Sequence, residues 1–257
     1  MDVIKDIAKS FYHYYKLGEV SFGLEDISVL SMEQAYQCQD AFLKLRENDG
    51  DQPFGYKVGC TSAAIREQFG FDEPIYGRLM TPGKLFEQDS VEARNYDNLA
   101  IEPEFVITMK RDLYGVPESE QELIDAIDTI RPGIELHNYT YHFSPPTRQE
   151  LICSNGIHAA QLVGSHTVEA SAIHWELEGV AVFKNQKLVA SGVAADIMGG
   201  PLNSLKFLLS HLKSRDQKLA AGEMVIPGSA TALIPVEAGD EVECCFTNAG
   251  SVKMTVT

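Results

Sequence analysis

The sequence predicts an α+β fold, in which helices accompany a mixed, largely antiparallel β-sheet. Residues 179–192 and 241–257 each read as a β-hairpin, with turns at Asn185-Gln186 and near Asn248-Ala-Gly250. Helical patterns fall only occasionally between the strand patterns. A doubly wound parallel sheet would alternate the two regularly, so the sequence argues against that class.

Helices are predicted from caps and apolar stripes. Ser31, Ser119 and Thr147 each begin a capping box, a Ser or Thr followed three residues later by Glu or Gln. The stripe after Ser119 continues to Ile130, and Pro132 should stop that helix. The predicted helices are residues 1–17, 31–46, 62–69, 119–131, 147–155 and 201–214.

Strands are predicted at residues 55–59, 101–109 and 133–137. Because the first third is richer in helices than the rest, we expect two parts. Residues 1–80 form an α-rich N-terminal part, and residues 81–257 form a mixed β catalytic domain.

Composition excludes several partners. The net charge of −16 over 257 residues leaves no basic stripe for nucleic acid. Charged residues interrupt the first sixteen positions, so we expect no signal peptide, no membrane span and no membrane partner. The five cysteines are odd in number and lack CxxC spacing, which favours a cytoplasmic protein with free thiols.

Glu102 and Glu104 are the most informative pair. They lie in an apolar strand, where alternation points both carboxylates to one face. Two adjacent like charges there are costly unless a cation lies between them, and Mg²⁺ or Mn²⁺ takes oxygen ligands. Two exposed acids at a strand mouth explain the pair equally well.

A third acid, Glu135, lies between two apolar residues of another predicted strand. Together with Glu102 and Glu104 it would complete a three-carboxylate site that leaves positions for water and substrate. His137 shares its face. It could support Glu135, although a solvated strand end is the more ordinary interpretation of this histidine.

Other candidates are weaker. Lys57 lies between glycines on a short apolar segment. It could be an acid/base group or an anion anchor, or it could be a surface lysine on an edge strand. The loop Gly228-Ser-Ala-Thr231 could bind a carboxylate or form a plain turn. Asp72 and Tyr76 belong to a turn that could cap a site.

Several short motifs in order resemble the 2-keto-4-pentenoate hydratase group of the fumarylacetoacetate hydrolase superfamily, which includes 4-oxalocrotonate decarboxylases. The resemblance covers nearly the whole chain. Each motif is weak alone, but their order and spacing are specific. They are Gly55-Tyr-Lys-Val-Gly-Cys-Thr61, Pro74-Ile-Tyr-Gly77, Glu102-Pro-Glu104, Gly133-Ile-Glu135, Pro201-Leu-Asn203 and Ala221-Gly-Glu-Met-Val-Ile-Pro-Gly-Ser229.

The resemblance implies a rolled mixed β-sheet with flanking helices, like the C-terminal domain of fumarylacetoacetate hydrolase. It implies Mg²⁺ or Mn²⁺ held by Glu102, Glu104 and Glu135. It also implies a homo-oligomer. Lys57 and Asp72 would be catalytic, and the residues expected to contact the substrate are Ser229, Gly228 and Leu79.

One segment departs from the family. Where the family continues after its third glutamate as Glu-Ile-x-Asp-Ser-Arg, this chain has Asn138, Tyr139 and Thr140 in place of Asp-Ser-Arg. An acid and a cation are lost close to a predicted metal ligand. Scaffold and metal should survive this change, whereas substrate identity depends on it.

The resemblance implies metal-dependent hydration of a 2-hydroxy-2,4-dienoate to a 4-hydroxy-2-oxo acid, in the catabolism of aromatic-derived 2-oxo acids. The substrate would be a small 2-oxo acid or its enol. Decarboxylation of a 4-oxalocrotonate-type acid is the alternative, because both reactions need the same electron sink. A catalytically inactive scaffold of the same fold is a third reading.

Overall fold

The computed structural model describes residues 3–18 and 27–257. Within them the helices are α1 (Val3–Leu17), α2 (Met32–Asn48), α3 (Ala63–Phe69), α4 (Glu120–Ile124), α5 (Arg148–Cys153) and α6 (Pro201–Ser214). The capping box at Ser31 is formed in both directions, and Gly70 ends α3 in the left-handed conformation. Met1 and Asp2, which the sequence places in the first helix, lie outside the described residues.

The strands are β1 (Pro53–Gly59), β2 (Ile75–Met80), β3 (Lys84–Phe86), β4 (Leu99–Met109), β5 (Ile127–Asn138), β6 (His158–Val163), β7 (Gly179–Lys184), β8 (Lys187–Val193), β9 (Met224–Ile226), β10 (Ile234–Pro235), β11 (Glu241–Phe246) and β12 (Gly250–Thr255). Both predicted hairpins are present, as β7–β8 and β11–β12.

The larger sheet has eight strands in the order β2-β1-β9-β4-β5-β6-β3, with β10 paired to β4. It is mixed, because β1 runs parallel to β9 and β3 runs parallel to β6, while the other neighbours are antiparallel. The sheet is curled, and helices flank it. The predicted α+β fold with a rolled mixed sheet is thus confirmed.

A smaller four-stranded antiparallel sheet, in the order β12-β11-β7-β8, packs beside the larger one. Helices α1 and α2 pack against each other and on α5. β1 and β2, although they belong to residues 1–80, lie within the larger sheet. The proposed domain boundary at residue 80 stays a prediction.

One element differs from the sequence-based expectation. The helix predicted to reach Ile130 ends at Ile124, and Ile127, Ile130 and Pro132 belong to β5. Strand pairing explains the difference, because β5 pairs with β4 from Leu99 to Met109. The apolar spacing that fits a helix also fits a strand buried on both faces, and long-range pairing decides between them.

Candidate active site

A largely buried acid–base cluster lies on strands β1, β4, β5 and β6 of the larger sheet. We define it as Lys57, Glu102, Glu104, Glu135, His137 and His158. Glu102 of β4 pairs directly with Glu135 of β5, and His137 of β5 pairs with His158 of β6. Register alone therefore brings two carboxylates together and two imidazoles beside them.

Lys57 enters the cluster from β1, three positions along the sheet from β5. Strands lie about 4.8 Å apart, so in a flat sheet the side chains of Lys57 and Glu135 would stand well separated. The curl of the sheet brings the Lys57 Nζ to 2.5 Å from the Glu135 Oε1. The same ammonium donates to the carbonyl oxygen of Gly156 at 3.2 Å.

Both members of this ion pair are buried, at 3% and 1% side-chain exposure. Burial alone would lower the pKa of Lys57, but the carboxylates of Glu135 and Glu102 outweigh it and raise that pKa. Burial likewise opposes ionisation of Glu135, and His137, Lys57 and His158 outweigh it, so the pKa of Glu135 falls well below its usual range. The pair is therefore ionised at neutral pH.

His137 is buried, which corrects the interpretation of it as a solvated strand-end residue. Its Nε2 lies 3.1 Å from the Glu102 Oε2 and 3.4 Å from the Glu135 Oε2. Burial lowers the pKa of His137, but the Glu135 and Glu102 carboxylates more than compensate, so this pKa is raised. One nitrogen therefore faces two carboxylates that are predicted metal ligands.

His158 is a member of the cluster that the sequence did not reveal. Burial lowers the pKa of this imidazole to about 4, so it is neutral and its Nδ1 donates to the Glu135 Oε1 at 2.7 Å. No motif contains it, and it reaches Glu135 only through the pairing of β6 with β5. Its part is to hold the Glu135 carboxylate in place.

Glu104 differs from the other two acids. Its Oε2 accepts a hydrogen bond from the backbone N–H of Gly228 at 3.0 Å, while its Oε1 is buried without a partner in the described residues. Burial and the nearby charges of Glu135 and Glu102 raise the pKa of Glu104 well above its usual range. A buried carboxylate oxygen without a partner calls for a proton or a cation.

The donor set fits a hard divalent cation. Ligand atoms of Glu102, Glu135 and His137 lie within 4.8 Å of one another, and this group contains the histidine in place of Glu104. Glu104 contributes its unpartnered oxygen to the same cluster. Carboxylate oxygens suit Mg²⁺ and Mn²⁺, and an imidazole nitrogen adds affinity for transition metals.

A cavity of about 210 Å³ opens beside the cluster. Lys57, Glu102 and His137 lie on its wall, and so do Gly228 and Ser229, both predicted to contact the substrate. The remaining lining residues are Val58, Gly59, Cys60, Thr61, Ser62, Ile65, Gln68, Phe69, Ile75, Tyr139, Tyr141, Leu151, Gly156, Ile157, Thr231, Ala232 and Leu233.

The loop at Gly228 approaches the cluster closely. Gly228 has a φ of +115°, and an added Cβ would lie 2.3 Å from the Thr61 Oγ1. Only glycine combines this conformation with this proximity. The loop thereby presents the Gly228 N–H to Glu104 and the side chain of Ser229 to the cavity.

Two predicted residues are not brought to the site. Asp72 is exposed and does not line the cavity. Leu79 is fully buried in a separate apolar cluster with Val106, Val163 and Ile226. The structure thus places Asp72 on a surface turn and the side chain of Leu79 in the core, and their roles at the site stay predictions.

Comparison with known proteins supports the motif-based resemblance. The chain is 24% identical over 250 residues to 2-keto-4-pentenoate hydratase of Paraburkholderia xenovorans (strain LB400), covering 97% of this chain and 93% of that one. It is 26% identical over 227 residues to 4-oxalocrotonate decarboxylase of Pseudomonas putida, covering 88% and 86%. No protein-family model matches the chain.

Solved structures show the same fold. 4-Oxalocrotonate decarboxylase from Pseudomonas putida G7, complexed with magnesium and adipate, superposes with a TM-score of 0.92 at 24% identity, over 99% of this chain and 97% of that one. Fumarylpyruvate hydrolase from Pseudomonas aeruginosa, in complex with Mn²⁺ and pyruvate, superposes with a TM-score of 0.62 at 15% identity, over 79% and 88%.

Among the described residues, no helix combines the length and apolarity needed to cross a membrane.

The similarities extend along nearly the full length of the chain and include both sequence and fold. The resemblance that the motifs predicted is confirmed: the chain is homologous to the 2-keto-4-pentenoate hydratases and 4-oxalocrotonate decarboxylases, on the fold of the fumarylacetoacetate hydrolase superfamily.

Proposed function

We propose that this protein is a divalent-metal-dependent hydro-lyase that adds water to a 2-hydroxy-2,4-dienoate and yields a 4-hydroxy-2-oxo acid. With 2-hydroxypenta-2,4-dienoate, the addition of one water gives 4-hydroxy-2-oxopentanoate. The observation that carries the proposal is the cluster of three carboxylates, two buried and Glu102 partly exposed, beside a small cavity. The hydratases among its relatives support the same reaction class.

Mg²⁺ or Mn²⁺ is the proposed cofactor, with Glu102, Glu104 and Glu135 as ligands and the His137 Nε2 as a further donor. Relatives of the same fold carry magnesium, calcium or Mn²⁺ in their structures. When bound, the cation would supply Lewis-acid stabilisation of the negative charge that develops on the C2 oxygen of the substrate.

Lys57 is the proposed acid/base group. It lies on the cavity wall and is charged in the resting cluster, because Glu135 and Glu102 raise its pKa. It can therefore deliver a proton to the distal carbon of the dienol. The proton leaving the C2 hydroxyl returns the lysine to its starting state and completes the isomerisation to a conjugated 2-oxo-3-enoate. Water then adds across the C3–C4 double bond, with its hydroxyl going to C4 and its remaining proton to C3.

Substrate orientation is assigned to the loop at Gly228. The Ser229 side chain lies on the cavity wall, and its Oγ accepts from the backbone N–H of Thr231 at 3.1 Å. Its own hydroxyl proton can then be donated to the substrate carboxylate. We assign no step to Asp72, because it does not line the cavity.

Decarboxylation of 4-oxalocrotonate is the second candidate, favoured by relatives that are about as similar as the hydratases. An inactive scaffold is disfavoured, since Lys57 and all three acids are retained.

We also propose that the protein is a cytoplasmic homo-oligomer that acts in aromatic catabolism. The five free cysteines agree with a reducing compartment.

Turnover tests the proposal. Purified protein supplied with Mg²⁺ or Mn²⁺ should consume 2-hydroxypenta-2,4-dienoate. The loss of dienol absorbance measures this reaction. Glu104→Gln should abolish turnover while the far-UV circular dichroism is unchanged. Glu118→Gln, the same change at an exposed position, should retain full activity. No consumption with either metal, or an active Glu104→Gln, would refute the assignment.

A further inference from the structure

Outside the acid–base cluster, the cavity wall is largely apolar and aromatic. Phe69, Tyr139 and Tyr141 form a chain of edge-to-face contacts, with ring centroids 6.4 Å apart for Phe69–Tyr141 and 5.6 Å apart for Tyr139–Tyr141. Ile65 and Leu151 belong to the same wall. Tyr139 is 37% exposed whereas Lys57 is 3% exposed, so the aromatic rings lie toward the mouth and the charges toward the floor.

This wall offers no cation to a second carboxylate. Among the lining residues of the described chain, the basic side chains are Lys57 and His137, and both contact Glu135. The residues outside the description, 1–2 and 19–26, contain no lysine or arginine. The polar side chains on this wall outside the acid–base cluster, among them Ser62, Gln68 and Thr231, are neutral, and they compensate a carboxylate that leaves water less well than a cation does.

The arginines next to the cavity have other partners. The Arg66 Nη1 donates to the carbonyl oxygens of Cys60 at 3.0 Å and Thr61 at 2.7 Å. The Arg148 Nη2 donates to the Glu73 carboxylate at 3.0 Å and to a backbone carbonyl. Neither guanidinium lines the cavity.

We propose, on the basis of the proposed function, that the substrate carries a short uncharged tail and that dicarboxylates are rejected. The accepted class is 2-hydroxy-2,4-dienoates that end in hydrogen or a small alkyl group. A volume of about 210 Å³ is below the roughly 300–1,000 Å³ of sites for drug-sized ligands, so the cavity itself encloses only a few carbons of the tail. This tail favours the hydratase over the decarboxylase, because 4-oxalocrotonate carries a second carboxylate.

Two six-carbon 2-oxo acids isolate the charge of the tail. 2-Oxohexanoate ends in a methyl group, whereas 2-oxoadipate has the same length and ends in a carboxylate. Their dissociation constants are measured by calorimetry on Mn²⁺-loaded protein, so that the result does not depend on turnover. We expect 2-oxohexanoate to bind at least about 10-fold more tightly, the ratio that one unpaired charged group produces.

A cation added at the mouth should reverse this preference. Tyr139→Arg places a guanidinium beside the tail at a partly exposed position, where folding is not at risk. It should improve 2-oxoadipate binding about 10-fold relative to 2-oxohexanoate. Tyr114→Arg makes the same change at a position that is 70% exposed and outside the cavity, and should leave the ratio unchanged.

The outcomes separate this inference from the proposed function. Equal binding of the two acids, or tighter binding of 2-oxoadipate, overturns the uncharged tail even if the dienoate is hydrated. An unaltered ratio in Tyr139→Arg also overturns it, because the tail would then lie elsewhere. Preference for 2-oxohexanoate without any dienoate turnover supports the tail assignment and refutes the hydratase.

Discussion

The ion pair between Lys57 and Glu135 permits a quantitative prediction that does not depend on the reaction. In Lys57→Met, the Glu135 carboxylate, 1% exposed, loses the ammonium that lies 2.5 Å away. Removing one partner of a buried ion pair costs about 3–5 kcal/mol of unfolding free energy. His158 already donates to Glu135 and can take up a proton, which offsets part of the loss. We therefore expect a loss of about 3 kcal/mol.

The measurement is urea unfolding followed by far-UV circular dichroism, in EDTA so that no metal replaces the lysine. The double variant Lys57→Met/Glu135→Gln removes both charges. It should be about 2 kcal/mol more stable than the sum of the single effects predicts. Lys187→Met, at an exposed hairpin position, should stay within about 0.5 kcal/mol of the wild type. A loss below about 1 kcal/mol in Lys57→Met, or strict additivity, would show that the pair is not formed.

Three further predictions follow from described contacts. His137→Gln should weaken Co²⁺ binding at least about 10-fold and Mg²⁺ binding much less, as measured by calorimetry, because an imidazole ligand favours transition metals; equal losses would exclude the histidine as a ligand. Gly228→Ala should abolish turnover and destabilise the fold more than Gly239→Ala, since both have positive φ but only Gly228 would clash with a neighbour; equal effects would contradict this. Burial opposes ionisation of Asp240, but its hydrogen bonds and a nearby lysine lower its pKa, so Asp240→Asn should cost about 1–2 kcal/mol at pH 7. The unfolding free energies of this variant and the wild type should converge as pH falls below about 4. The stabilisation by Asp240 is present above the pKa of this carboxyl in the unfolded state and is lost as pH falls through its pKa in the folded state. A difference in unfolding free energy that does not change with pH would contradict this prediction.

Local signals predicted much of the secondary structure. Helix α6 has the predicted bounds, and the Ser31 capping box is formed. The first hairpin turns where expected, with Asn185 and Gln186 both at positive φ. Such features depend on residues close together in the chain, so a short window of sequence contains the information that specifies them.

Long-range pairing could not be predicted in the same way. The predicted end of α4 was wrong, because the residues that follow this helix pair with β4. Each acid of the site was recognisable on its own strand, whereas their convergence depends on strand order and curl. His137 and His158 form no motif, because only the β5–β6 register brings them together.

Strand β9, three residues long, lies between β1 and β4 in the interior of the larger sheet. It is synthesised after most of the chain has left the ribosome, yet β1 needs it to join the other strands. The nascent protein should therefore hold the β1–β2 pair apart from strands β4, β5 and β6 until translation is nearly complete, and contacts of such high sequence separation form slowly. A chain truncated before Met224 should lack the ability to gather the cluster, so catalytic competence would report that synthesis has reached β9.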